Sequence, residues 1–163
     1  MIRLGCLHFA IIIQSMACGQ INQQGFPDVP DSFKTQKISF DTSEIAIFNI
    51  DADGWLKERL DSSQSFSLTN MNMQAIEKVF KKGLVENNMS KSNRHYKRQY
   101  VPYIDKNGHR CVWINCFCSD YSNDYSDWKK SIILIQDGGS CYLNLTIDLT
   151  DMSYSNFEIN GSG

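Results

Sequence analysis

The sequence has almost no net charge and no second long apolar run. Its 163 residues carry 16 Lys and Arg against 18 Asp and Glu, a formal net charge of -2. This balance lacks the basic excess that marks a nucleic-acid-binding domain. After the first residues, no apolar run approaches the ~20 residues that span a bilayer. The hydrophobic share of 42% is ordinary for a globular protein. We therefore expect one globular domain that binds no nucleic acid.

Catalytic signatures are also missing. The chain contains no Gly-x-Ser-x-Gly, no His-Glu-x-x-His and no phosphate-binding loop. His95 and His109, the histidines that follow residue 17, lie in polar, turn-like contexts, whereas a nucleophile needs a base held within reach. These absences favour a non-catalytic protein that uses no cofactor.

Residues 1–17 have the composition of an export signal. Arg3 supplies a positive charge, and residues 4–13 are mostly apolar. Small residues then precede a cleavage point before Cys18, where lipoprotein processing requires a cysteine. Ser15 replaces the Leu that is usual three residues before such a cut. We expect a signal peptide over 1–17 and a lipid on Cys18; without the lipid, the protein would be freely secreted.

The remaining chain divides into a tether and a domain. Residues 18–43 are expected to form a tether and lead-in segment, because their first part is polar and contains prolines. Residues 44–163 are expected to form a single domain. A lipid on Cys18 would hold this domain at a membrane without spanning it. The predicted location is the periplasm, the outer membrane or the cell surface.

One helix stands out between residues 70 and 87. Its apolar residues recur at three- and four-residue spacing, and Thr69 is a plausible N-cap. Gly83 costs roughly 1 kcal/mol against Ala inside a helix and should weaken the last turns. The stripe consists of Met73, Ile76, Phe80 and Leu84. Such a stripe predicts a core-facing helix; residues 55–66 give no clear pattern.

Strand patterns precede and follow this helix. Asn107-Gly108 is a strong hairpin signal. The predicted strands are 44–50, 97–104, 110–118, 130–136, 141–149 and 154–159. The order predicts an α+β fold, with one main helix packed on an antiparallel β-meander of the last five strands. The element order is similar to cystatin-like and NTF2-like folds, which host inhibitors, binding modules and enzymes alike.

Four cysteines, Cys111, Cys116, Cys118 and Cys141, are the disulfide candidates. Their spacing does not match a zinc knuckle, and export favours oxidation over thiolate ligation, so no metal ion is expected. Consecutive strand pairing would place strand 130–136 between Cys141 and the strand that holds the other three cysteines. A bond from Cys141 to Cys116 or Cys118 would then require the strands to curl or strand 130–136 to be displaced. Because Cys118 lies at a strand end, the favoured pair is Cys118–Cys141, with Cys111 free. Buried thiols are the alternative.

Several short runs between residues 96 and 161 form a distinctive set. They are 96–101 (Tyr-Lys-Arg-Gln-Tyr-Val), Gly108, 112–118 (Val-Trp-Ile-Asn-Cys-Phe-Cys), 128–130 (Trp-Lys-Lys), 137–142 (Asp-Gly-Gly-Ser-Cys-Tyr) and 160–161 (Asn-Gly). From about residue 68 onward, the chain thereby resembles a family of small, uncharacterised exported proteins and lipoproteins frequent in Bacteroidota. The resemblance implies an envelope or outer-surface location and no particular activity.

The polar loop 119–128 contains Tyr121, Tyr125 and Trp128, which could contact a partner or belong to a solvated loop. The leading hypothesis is an exported, lipid-anchored binding or interaction module that recognises an unknown protein or small molecule. One alternative is an envelope enzyme or thiol-redox protein that uses Cys116 and Cys118. Another is a secreted inhibitor that presents the 119–128 loop.

Overall fold

The computed structural model describes residues 42–62, 64–89, 95–119 and 125–161. These residues belong to one compact unit. The predicted signal peptide, the lipidation candidate Cys18 and the loop residue Tyr121 lie outside the described residues. Among the residues described, no helix combines the length and the apolar character that crossing a membrane requires.

A five-stranded mixed sheet forms the centre of the described part. Strand order follows the sequence; β1 pairs with β2 in parallel, and the later pairs are antiparallel. The elements are β1 Ile45–Ile47, α1 Gly54–Leu60, α2 Asn70–Glu86, β2 Tyr96–Ile104, β3 Arg110–Cys118, β4 Tyr142–Asp148 and β5 Ser153–Ile159. The predicted α+β class, with a main helix on a sheet, is therefore confirmed. The likeness in element order to cystatin-like and NTF2-like folds stays a prediction.

Helix α2 begins at the predicted cap. The Thr69 hydroxyl accepts the N–H of Asn72 at 3.2 Å, and the Asn72 side chain accepts the N–H of Thr69 at 3.0 Å. These reciprocal bonds satisfy donors that the first turn leaves unpaired. The helix continues through Gly83, which is buried against side chains of β4 and β5. Packing on the sheet thus outweighs the helix propensity lost at Gly83.

Both faces of the sheet are buried. Along β3, Val112, Ile114 and Cys116 pack in the core beneath α2, whereas Trp113 and Phe117 pack in a second core on the opposite face. This second core is covered by the segment from β1 through α1 and by part of 125–142. Helix α1, which the sequence did not predict, begins where the Asp53 side chain accepts the N–H of Trp55 at 3.4 Å.

The predicted strand 130–136 is wrong. Its residues have no strand conformation, and β3 pairs directly with β4. The side chain of Gln99 donates to the carbonyls of Trp128 and Ser131 at 2.6 and 2.8 Å and accepts the N–H of Ile133 at 2.9 Å. Because the side chain of Gln99 forms hydrogen bonds with these backbone groups, the segment lies across the second face of the sheet and does not pair with a strand.

Candidate functional site

The structure contains the disulfide that the sequence favoured. Cys118 at the end of β3 is bonded to Cys141, which directly precedes β4, and their Cα atoms are 4.9 Å apart. The bond is possible because residues 130–136 are not a strand of the sheet and β3 pairs directly with β4. Cys141 lies in a short 3-10 turn, not in the predicted strand 141–149.

Cys111 and Cys116 are free and buried. Burial raises the pKa of the Cys111 thiol to about 12 and that of the Cys116 thiol well above its usual range. A protonated thiol is neither a nucleophile nor a metal ligand. Cys118 is bonded to Cys141 and not to Cys116, so this geometry offers no support for a Cys116/Cys118 redox pair.

The aromatic residues of the 119–128 loop that are described point inward. Trp128 is only 6% exposed, and its ring centroid lies 5.8 Å from that of Phe117. Tyr125 is half-buried, with its hydroxyl 2.9 Å from the hydroxyl of Tyr142. The ring of Trp128 fills the second core, and contact between this loop and a partner stays a prediction.

An acidic pair surrounds His109 at the end of the β2–β3 turn. Its Nδ1 lies 2.7 Å from Oδ2 of Asp148 and 3.8 Å from Oδ2 of Asp151. The other oxygen of Asp148 accepts the N–H groups of Thr150 and Asp151 at 2.7 and 3.1 Å. These three side chains could in principle ligate a cation. The bond from His109 to Asp148 joins the β2–β3 turn to the end of β4, and the bonds from Thr150 and Asp151 to Asp148 hold the β4–β5 turn.

Two adjoining cavities on the second face of the sheet gather a different set of polar residues. They have volumes of about 390 and 340 Å³, which is within the usual range for ligand sites. Both are lined by Arg59, Trp113, Asn144 and Glu158. The two cavities together are the Arg59 groove. Another cavity of about 400 Å³, beside β1, has no charged side chain in the part of its lining that the structure describes.

Arg59 of α1 is held above the sheet by groups from two strands. Its guanidinium donates to Oδ1 of Asn144 at 3.3 Å and to Oε2 of Glu158 at 3.1 Å. It also lies 6.0 and 5.9 Å from the ring centroids of Trp55 and Trp113, which is within the range of cation–π attraction. The guanidinium therefore stands where the two cavities meet.

The indole N–H groups of Trp55 and Trp113 are buried and have no acceptor among the described residues. Both residues line the second cavity. A buried donor without a partner costs about 1–3 kcal/mol and calls for an explanation. The two indoles meet edge to face, with centroids 5.8 Å apart, so the arrangement is tightly packed although its polar atoms are unsatisfied.

A β-bulge shapes the rim of the first cavity. The register between β4 and β5 shifts between Asn144 and Thr146, and both residues line that cavity. Opposite them, Asn156 adopts a left-handed conformation with a φ of 50° and also lines the cavity. Bulges often accompany binding and active sites, where they redirect side chains. Here the bulge belongs to the wall of the groove.

No sequence pattern indicates this groove. Arg59 is 85 residues from Asn144 and 99 from Glu158, so no local spacing joins them. Comparisons with protein-family profiles, with curated proteins and with solved structures find no match for this chain. The site must therefore be judged on its own chemistry.

Proposed function

We propose that the protein is a non-catalytic binding module of the bacterial envelope, exported by its first 17 residues and anchored by a lipid on Cys18. Its ligand binds in the Arg59 groove. The export signal and the resemblance to envelope proteins of Bacteroidota support the location.

One observation carries the choice of a binding role. A cation, a carboxylate, an amide and an indole from four separate elements converge on the groove, namely Arg59, Glu158, Asn144 and Trp113. Among the described residues, no cysteine, serine or histidine lines either cavity. The serine or cysteine nucleophile and the imidazole base of a hydrolytic triad are thus missing from this lining, whereas groups that orient a ligand are present.

Site-specific photo-crosslinking in the native host tests this proposal. Leu134 lines the second cavity and is 56% exposed, so a Leu134→benzoylphenylalanine substitution can carry the probe with little change to the core. Lys82 of α2, on the other side of the sheet, is the control position. We expect an envelope component to be crosslinked from position 134 and not from position 82.

Two further measurements complete the test. Mass spectrometry of the mature N-terminus should find an acylated Cys18. A screen of ester, peptide, glycoside and phosphate substrates should find no turnover. A turnover that is lost in an Arg59→Ala variant, together with no crosslink from position 134, would overturn the binding role in favour of an enzyme.

A further inference from the structure

We propose that the Arg59 groove binds a neutral saccharide chain, with one sugar ring in each cavity and Arg59 bridging the two rings. This inference rests on the binding function proposed above and names the class of ligand. It follows from the charge of the groove, its polar groups, its aromatic rings and its place on the sheet.

The charge of the groove disfavours an anion. Arg59 is the cation of both cavities, and it faces Glu158 in each of them and Asp61 in the first. Its charge is already neutralised at 3.1 Å by Glu158. A phosphate or carboxylate ligand would meet more negative than positive charge in the first cavity and balanced charge in the second, so a neutral ligand fits this lining better.

The polar groups suit hydroxyls. A sugar hydroxyl donates one hydrogen bond and accepts others, and so it is best met by groups of both kinds. Arg59 only donates, Glu158 only accepts, and the amides of Asn144 and Asn156 do both. The indole N–H groups of Trp55 and Trp113 are buried from solvent, so these two residues offer the groove their ring surfaces and not hydrogen bonds.

Aromatic rings complete the fit in the second cavity. Trp55 and Tyr142 are half-buried and line it together with the side chains of residues 133–135. A sugar ring presents an apolar C–H face as well as hydroxyls, and a flat ring with a polar tip can contact both. This combination distinguishes a saccharide from a small, purely polar solute.

The position of the groove argues against an extended peptide. Its wall crosses three strands, with Trp113 on β3, Asn144 on β4 and Glu158 on β5. Peptides that add a strand bind along a sheet edge and use backbone hydrogen bonds. In this groove the contacts come from side chains on the face of the sheet. Such a surface suits a ligand made of discrete rings that side chains can contact one at a time.

Arg59 can serve both rings because it is weakly held. Its ion pair with Glu158 joins side chains that are 42% and 58% exposed, and such pairs contribute little to stability. The guanidinium can therefore exchange a protein acceptor for a ligand hydroxyl on either side. The affinity should then rise when a second ring is added and change little when a third is added.

Calorimetric titration of the full-length protein tests the inference. The probes are glucose, maltose and maltotriose, the matching cello-, xylo- and manno-oligosaccharides, trigalacturonate as the acidic counterpart, and trialanine. We expect at least one neutral series to bind, with its trisaccharide about tenfold or more tighter than its monosaccharide. Trigalacturonate and trialanine should not bind.

Matched variants locate the binding. Arg59→Ala should weaken it about tenfold, whereas Lys57→Ala removes the same charge from the same helix and should leave it unchanged, because Lys57 pairs with Asp51 away from the groove. Glu158→Gln keeps an acceptor, so affinity should stay within about threefold. Thermal unfolding establishes that each variant is folded. If Arg59→Ala is not folded, Asn144→Ala, which removes another polar group shared by both cavities, takes its place and should also weaken binding.

Each contrary result has a distinct meaning. If none of the neutral series binds, or if Arg59→Ala and Lys57→Ala behave alike, the saccharide assignment is overturned. Binding of trigalacturonate or trialanine alone also overturns it, replacing the ligand class. In these cases a crosslink from position 134 would still uphold the binding module, so the two proposals fail separately.

Discussion

The side chains of Gln99 and Asn115 are bonded to each other across β2 and β3, with Asn115 Nδ2 donating to Gln99 Oε1 at 3.0 Å. Asn115 also donates to the carbonyl of Ile133 at 2.6 Å. The side chains of Gln99 and Asn115 thus supply hydrogen-bond partners for the backbone of residues 128–133, which pairs with no strand. Two amides thus fasten residues 128–133 onto the second face of the sheet.

Replacing Gln99 by Leu should strongly destabilise the protein. Gln99 is fully buried, and its loss leaves two backbone carbonyls and one N–H without partners. We expect the free energy of unfolding to fall by about 2–3 kcal/mol, measured by urea denaturation. Gln136→Ala, an exposed change nearby, should stay within about 0.5 kcal/mol of the parent. Equal effects of the two substitutions would contradict the fastening role.

The contacts of Gln99 and Asn115 also explain which parts of the fold could be predicted from the sequence. Strand 110–118 agrees with β3 in both bounds, because a hairpin signal fixes its start. Residues 130–136 contain an apolar run that looks like a strand. The side chains that bond their backbone, those of Gln99, Asn115 and Asn160, lie 18–34 residues away in the sequence, and no local pattern indicates such contacts.

The groove was hidden for the same physical reason. Arg59 lies in a stretch without a clear pattern, and the residues that give it a role come from β4 and β5. The Cys118–Cys141 disulfide could be predicted from the sequence, because alternation along β3 and the strand end at Cys118 restricted the possible partners. Patterns thus reveal elements and their faces, whereas a site assembled by tertiary contacts needs the structure.

Loss of the Cys118–Cys141 disulfide should lower stability without unfolding the sheet. The bond closes a loop over a sequence separation of 23, for which chain entropy predicts about 3 kcal/mol. Urea denaturation with and without a reductant should show this difference. A Cys118→Ser, Cys141→Ser double variant should have the free energy of unfolding of the reduced protein, with or without reductant. If the stability of the parent protein is also unchanged by the reductant, the bond is absent.

Two glycines should respond in opposite ways to alanine. A Cβ at Gly83 would meet side chains of Leu145, Tyr154 and Phe157 at 3.6–3.7 Å, which is ordinary contact, so Gly83→Ala should raise the free energy of unfolding by about 0.5–1 kcal/mol. Gly138 has a φ of +94°, and a Cβ there would overlap the Tyr142 ring. Gly138→Ala should therefore lower thermal stability. If Gly83→Ala were equally destabilising, the helix would not tolerate even a methyl group against β4 and β5.

The His109–Asp148 pair should make stability depend on pH. The hydrogen bond to Asp148 raises the pKa of His109 above its ordinary value of 6.5. Burial opposes the shift at Asp148, but the bonds from His109 and from the N–H groups of Thr150 and Asp151 lower the pKa of that carboxyl. The ion pair is therefore complete at mildly acidic pH, where both groups are charged.

The sign of the effect follows from the direction of each shift. Because the folded pKa of His109 is raised, its contribution is fully present below about pH 6.5 and is lost as the pH rises through the folded-state pKa. Because the folded pKa of Asp148 is lowered, its contribution disappears only in acid, as the pH falls through that value. The advantage of the parent over His109→Gln, which keeps a donor but cannot titrate, should thus be larger at about pH 5.5 than at about pH 9.

Chemical denaturation of both proteins at the two pH values measures this difference directly. His95→Gln is the matched control, since His95 is an exposed histidine just before β2 with no carboxylate bond among the residues described. Its substitution removes an imidazole without breaking a described carboxylate contact, and it gives the baseline with which the His109→Gln difference is compared. If His109→Gln shows a constant difference, the contact acts as a neutral hydrogen bond and its charge has no part in joining the two turns.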